Sequence, residues 1–199
     1  MTTSTDAGQL IQPVLNDLAD VITAVRPEQF TDPTPCRDFD VATLRAHVLG
    51  WVTYFGAAFN DPDGTGERPD PKLVTAPDDP QAAADLVRAA AAEIATAVEH
   101  GVAERPVMMV QAKMPGDSML RMALWEYLTH GHDLASATGQ AWNPPAAAVE
   151  NALQFAPTML TDEYRGEGKD FGHIVAVPEE APALDRLLGF SGRDPYWKS

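Results

Sequence analysis

The chain has 199 residues, of which 45% are hydrophobic and 22% charged, which is enough apolar material for one sizeable domain and excludes general intrinsic disorder. Its formal charge of -15 repels phosphate backbones and anionic lipids, so we expect neither nucleic acid nor a membrane as a partner. The single cysteine excludes an intramolecular disulfide, and no export signal or long apolar run is visible, so we expect a cytoplasmic protein.

The first predicted element is an amphipathic helix. Apolar residues between Leu10 and Val25 recur every three or four positions, and Pro13 either starts this helix or kinks it. Two prolines within residues 31–38 then predict a connector, because a helix cannot continue through them.

A second helix has the most regular pattern in the chain. Asp40 suits its N-cap, and apolar residues recur from Val41 to Ala58 at steps of three and four. The helix has to end near Asn60-Asp-Pro62, and a polar connection rich in Pro, Gly and Asp then runs to about Asp78. Such a long connection can join two helices that run in the same direction.

Two further helices flank a short extended segment. Asp79 and the proline after it predict the start of a helix that runs to His100. Residues 105–115 have a short apolar run between prolines and predict an extended segment or hairpin. A fourth helix is expected from about residue 118 to 137, with Gly139 suited to its C-cap.

The carboxyl-terminal part predicts shorter elements. We expect a helix from Asn143-Pro144 through Leu160, modest strand character over residues 171–177, and a short helix over residues 183–188. The last thirty or so residues are expected to pack on the bundle because they carry three large apolar side chains, Phe190, Tyr196 and Trp197.

These elements predict an all-α fold: a four-helix bundle over residues 1–140, with a long connection between helices 2 and 3. Residues 141–199 are expected to form a carboxyl-terminal extension of the same domain. Little strand is expected.

Three side chains could hold a metal ion. Glu126 and His130 lie four residues apart on the fourth predicted helix, so both emerge on one face. His47 lies near the apolar stripe of the second helix and points inward, which makes it a candidate third ligand. Three protein ligands leave an open position, as in catalytic zinc sites. A Glu–His pair at this spacing also occurs without metal, and a half-buried histidine also occurs as a core residue.

For the other reactive side chains, the sequence gives weaker evidence of a functional role. We expect Asp133 to support a ligand and His132 to lie at a different angle on the helix. His100 at a probable helix end suits the helix dipole and needs no further role, and His173 has no other metal-binding residue at ligand spacing. Cys36 has no adjacent base that would make it a nucleophile. Metal binding requires neutral imidazoles, so the affinity is expected to fall as the pH drops through about 6.5.

Three blocks of sequence resemble a known family. They are Thr34-Pro-Cys36 with Phe39-Asp-Val41, Leu44 and His47-Val-Leu-Gly50; Glu126-x-x-x-His130-Gly-x-Asp133-Leu-Ala135; and Gly192-Arg-Asp-Pro195 with Trp197. Together they resemble the actinobacterial branch of the DinB/YfiT-like metalloenzymes, related to the metal-binding domain of mycothiol-dependent maleylpyruvate isomerase. The chain differs from many of these relatives at Asp38-Phe39, where they have Gly-Trp, and at His132, where they have tryptophan.

The resemblance implies a DinB-like bundle in which His47, Glu126 and His130 hold a divalent metal. Zinc suits two imidazoles and one carboxylate, and nickel or iron are alternatives. It further implies that the metal activates a low-molecular-weight thiol of the mycothiol type for S-transfer or thiol-dependent isomerisation of a small electrophile, and it suggests a homodimer. A metal-binding stress or regulatory protein without catalysis is the alternative function.

Overall fold

The computed structural model describes residues 6–109, 112–169 and 171–198. Residues 1–5, where we expected no export signal, and the centre of the predicted hairpin at residues 110–111 lie outside the described residues. The elements are, in chain order, helices α1 (Ala7–Thr23), α2 (Val41–Phe59) and α3 (Pro80–Glu99), strands β1 (Pro106–Met109) and β2 (Ala112–Pro115), and helices α4 (Gly116–Thr138), α5 (Ala146–Met159) and α6 (Ala183–Phe190).

The first four helices form the expected bundle, in which α1 and α2 each pack against both α3 and α4. Local sequence sets where they begin. The carboxylate of Asp6 accepts a hydrogen bond from the backbone of Gly8, so α1 starts before Pro13, which lies inside the helix. Asp40 caps α2 in the same way through the backbone of Thr43. The apolar stripes that follow these caps both belong to the core of the bundle.

The long connection between α2 and α3 is folded onto the bundle. The carbonyl of Pro71 lies so close to Gly50 of α2 that a Cβ there would be 2.2 Å from its oxygen. Arg68 donates to the carbonyl of Met108 at 2.6 Å and to the carboxylate of Asp61 at 2.7 Å. The connection is thereby tied both to itself and to β1.

The strand content is small, as expected, but one predicted strand is wrong. β1 and β2 form the antiparallel hairpin expected within residues 105–115. Residues 171–177 form no strand: Phe171 makes an isolated bridge with Arg165, and the backbone N–H of Val175 donates to the carbonyl of Gly189. This segment lies along α6 instead of pairing with a strand, and only Phe171, Val175 and Val177 are partly buried there.

The carboxyl-terminal extension packs on the bundle, as predicted. Leu187 and Leu188 of α6 are fully buried, and the Trp125 indole of α4 stacks on Phe171 at a ring distance of 5.4 Å. The expectation for Tyr196 is wrong, because this side chain is 63% exposed. None of the helices within the described residues combines the length and apolarity needed to cross a membrane.

Candidate metal centre

Two helices bring the three predicted ligands together. His47 lies in the first half of α2, while Glu126 and His130 lie one turn apart in the middle of α4. Because α2 packs against α4 in the bundle, the imidazole of His47 crosses to the face of α4 that carries the other two side chains.

The donor atoms of these residues converge on one point. Glu126 Oε1 lies 3.0 Å from His47 Nε2 and 3.2 Å from His130 Nε2. One ligand atom from each residue lies within 4.8 Å of the others, the spacing of groups that share a metal ion. The structure therefore assembles these three side chains, whose metal-binding role is argued below.

Asp133 fixes the orientation of one imidazole. His130 Nδ1 lies 3.0 Å from Asp133 Oδ2, and a carboxylate can only accept, so Nδ1 carries the proton and donates it. His130 Nε2 is thereby directed at Glu126 and is available as a ligand atom. Metal-binding histidines commonly show this arrangement, in which the second ring nitrogen is held by a carboxylate.

The charges of the site favour a cation at its centre. Burial lowers the pKa of His130, but the carboxylates of Glu126 and Asp133 more than offset this and raise the pKa to about 9. Burial raises the pKa of Glu126, and the two imidazoles then bring that pKa well below its ordinary value. In the metal-free protein a proton therefore occupies the position between His130 and Glu126 at neutral pH. We therefore expect protons to compete with a metal here at a higher pH than the ordinary histidine pKa indicates.

Aromatic side chains pack next to the two imidazoles. The Phe39 ring centroid lies 4.9 Å from that of His47 and 6.4 Å from that of His130, while Trp51 lies 6.4 Å from His47. The His130 side chain is only 5% exposed, whereas those of His47 and Glu126 are 25% and 29% exposed. The cluster is therefore open to solvent at His47 and Glu126 and closed at His130.

The remaining candidates lie outside this cluster. His132 Nε2 lies 3.2 Å from the Ser136 hydroxyl, and burial lowers its pKa. His100 and His173 are exposed. Burial raises the pKa of the Cys36 thiol to about 11, despite the opposing effect of Arg193, so this thiol is protonated at neutral pH.

Sequence reasoning assigned no role to Arg193, although it belongs to one of the quoted blocks. Arg193 is buried, and its Nε lies 3.4 Å from Asp133 Oδ2, the oxygen that faces His130. No periodic pattern links residues sixty positions apart, so only the Gly-Arg-Asp-Pro block itself could have drawn attention to this side chain.

The donor set fits a divalent transition metal. Two imidazole nitrogens and one carboxylate oxygen are typical of zinc and also suit nickel and iron. The ring nitrogen of His130 that does not face the cluster is held by Asp133, as a ligand would require.

Comparisons with known proteins agree with the fold. A family model described as the mycothiol maleylpyruvate isomerase N-terminal domain matches residues 11–135. Uncharacterized proteins from two strains of Mycobacterium tuberculosis are each 32% identical over 182 residues, covering 88% of this chain and 91% of theirs. The crystal structure of the mycothiol-dependent maleylpyruvate isomerase shares the fold, with a TM-score of 0.58 at 15% identity over 83% of this chain and 72% of that chain. The chain therefore belongs to the mycothiol maleylpyruvate isomerase N-terminal domain family.

Proposed function

We propose that this protein is a divalent-metal-dependent enzyme that uses a mycothiol-type thiol for S-transfer or thiol-dependent isomerisation of a small electrophile. The observation that carries the proposal is the convergence of ligand atoms from His47, Glu126 and His130 within 4.8 Å. The family description and the solved isomerase support the choice of thiol. Zinc is the metal that we propose first.

Each residue of the site has a distinct task in this proposal. His47, Glu126 and His130 hold the ion, and Asp133 keeps the proton of His130 on Nδ1. A divalent metal with an open position supplies a Lewis acid that lowers the pKa of a thiol bound to it. Phe39 covers the imidazoles on one side and limits access of water there.

The thiol has to come from outside the chain. Cys36 is the only cysteine, and its pKa of about 11 leaves it protonated at neutral pH. The partial exposure of His47 and Glu126 provides the side from which an external thiol can reach the site.

Metal-reconstituted protein tests the proposal. Titration of the cobalt(II) form with mycothiol should produce a thiolate-to-cobalt absorption band, and a panel of electrophiles should reveal one that is converted only when thiol is present. His47→Ala protein is the matched control and should show neither signal. Metal binding without thiol binding or turnover would refute the enzyme proposal and favour a metal-binding stress or regulatory protein. Absence of metal binding would refute both.

A further inference from the structure

The chain after α6 turns back toward the bundle. Gly192 has φ of +78°, and a Cβ at this position would lie 2.8 Å from the carbonyl oxygen of Gly172. The backbone N–H of Arg193 donates to the carbonyl of Leu188 at 2.9 Å, which closes the end of the helix. The turn directs the next side chain, that of Arg193, into the protein.

All three guanidinium nitrogens of Arg193 have a partner. Nε lies 3.4 Å from Asp133 Oδ2, Nη1 donates to the carbonyl of Ser191 at 2.9 Å, and Nη2 lies 3.5 Å from Cys36 Sγ. The side chain of Arg193 is 8% exposed and that of Asp133 is 0% exposed. Arg193 therefore supplies a fixed, buried cation directly beside the carboxylate of Asp133.

Asp133 connects this cation to the candidate metal centre. Its Oδ2 accepts from His130 Nδ1 at 3.0 Å and also faces Arg193, whereas its Oδ1 is buried without a hydrogen-bond partner among the described residues. A buried carboxylate with so few donors depends strongly on the partners that it has. The position of this carboxylate therefore depends on Arg193 as well as on α4.

We propose that Arg193 is a positioning residue of the metal centre: by pairing with Asp133 it holds the carboxylate that orients the imidazole of His130. This inference rests on the proposed metal site. It assigns the carboxyl-terminal extension a part in metal binding, although the extension contributes no ligand.

A second buried arginine provides a matched control. Arg165 also lies in the extension, with its guanidinium carbon 4.5 Å from the centroid of the Phe190 ring and its Nη1 3.5 Å from the carbonyl of Gly172. Within the described part of the chain, neither of these contacts of Arg165 involves Asp133 or a proposed ligand. Loss of Arg165 therefore reports on general loosening of the extension without removing a direct contact to Asp133.

The test is a titration of the full chain with cobalt(II) against a competing chelator, read through both affinity and the visible spectrum. Arg193→Met should weaken binding by roughly 10–100-fold, the effect typical of losing a group that supports a ligand, and should alter the cobalt bands. Arg193→Lys keeps the charge without the planar fork and should give an intermediate loss. Arg165→Met should retain wild-type affinity and spectrum even if it unfolds at a lower temperature.

A double variant separates positioning from a general structural effect. If Arg193 acts through Asp133, adding Arg193→Met to Asp133→Asn should change affinity by less than about threefold, because the two effects are not additive. The double variant also removes both buried charges, which favours its folding over that of Arg193→Met alone.

Three results would overturn the inference. The first is wild-type affinity and spectrum in Arg193→Met or, if that variant does not fold, in Arg193→Lys. The second is a full additional loss in the Asp133→Asn background, and the third is an equal loss in Arg165→Met. Failure of the wild-type chain to bind cobalt or zinc would instead overturn the proposed function and this inference together.

Discussion

At the scale of single residues, the three proposed ligands should act as a unit. Alanine at His47, Glu126 or His130 leaves only two protein ligands. Loss of a group that supports a ligand typically costs roughly 10–100-fold in metal affinity, and we expect each of these variants to lose more zinc affinity than that. Calorimetric zinc titrations measure this loss.

The other histidines provide controls for that experiment. His100→Ala and His173→Ala remove exposed side chains and should change zinc affinity by no more than a few fold. His132→Ala should have a smaller effect than any ligand change. Wild-type affinity in His47→Ala would place the metal elsewhere and would remove the basis for thiol activation.

The pH dependence of metal binding reflects the proton that His130 holds. The metal has to displace this proton, and its pKa is about 9 because Glu126 and Asp133 stabilise the imidazolium against the cost of burial. Apparent zinc affinity should therefore rise by about tenfold per pH unit from pH 6.5 toward 9. Competition titrations at fixed ionic strength measure the slope, and affinity that is flat between pH 7 and 8.5 would contradict the assignment.

At this scale the sequence predicts which side chains meet but not what surrounds them. Helical periodicity puts Glu126 and His130 on one face and turns His47 inward, so their convergence could be predicted. The contact between Arg193 and Asp133 depends on a turn after α6 and on packing of the extension, which leave no periodic signal. The raised pKa of His130 likewise requires the distances to both carboxylates.

At the scale of elements, capping residues and apolar repeats predict helices better than composition alone predicts strands. The N-cap residue Asp40 and the apolar repeat after it predicted α2 with its observed start at Val41. The predicted strand over residues 171–177 is wrong because an apolar segment of this kind can also lie along a helix, here α6, without pairing with a strand. Which of the two occurs depends on tertiary contacts that composition does not contain.

Two glycines of α2 test whether the long connection is docked on this helix. A Cβ on Gly50 would lie 2.2 Å from the backbone oxygen of Pro71, so Gly50→Ala has to displace the connection and should cost about 1–3 kcal/mol. A Cβ on Gly56 would meet the carboxylate of Glu93 at 2.8 Å, the end of an exposed and flexible side chain.

Gly56→Ala is therefore the matched control, and it should be neutral or stabilise the protein by up to about 1 kcal/mol through helix propensity. Urea unfolding measures both free energies. Equal stability of the two variants would show that the connection does not constrain α2 at Gly50.

At the scale of the whole molecule, the proposed metal would join parts of the chain that are far apart in sequence. His47 lies on α2, Glu126 and His130 lie on α4, and the arginine behind Asp133 comes from the extension. The unfolded chain has no such arrangement, so metal binding should stabilise the folded state. Folding and metal binding are therefore expected to be thermodynamically linked.

The size and the pH dependence of this linkage can be predicted. Zinc at 100 times its dissociation constant should add about 2.7 kcal/mol, which corresponds to roughly 5–11 °C in the unfolding temperature of a domain of this size.

Without metal, the pKa of His130 is about 9 when folded and about 6.5 when unfolded. Its contribution to stability is thus complete below pH 6.5 and is lost as the pH rises through 9. Zinc replaces that proton. At a fixed free zinc concentration, the zinc-induced rise in unfolding temperature should therefore grow from pH 6.5 to 8.5. Differential scanning calorimetry measures the rise; a constant rise across this range, or one that persists in His47→Ala, would rule out metal binding linked to His130 at this site.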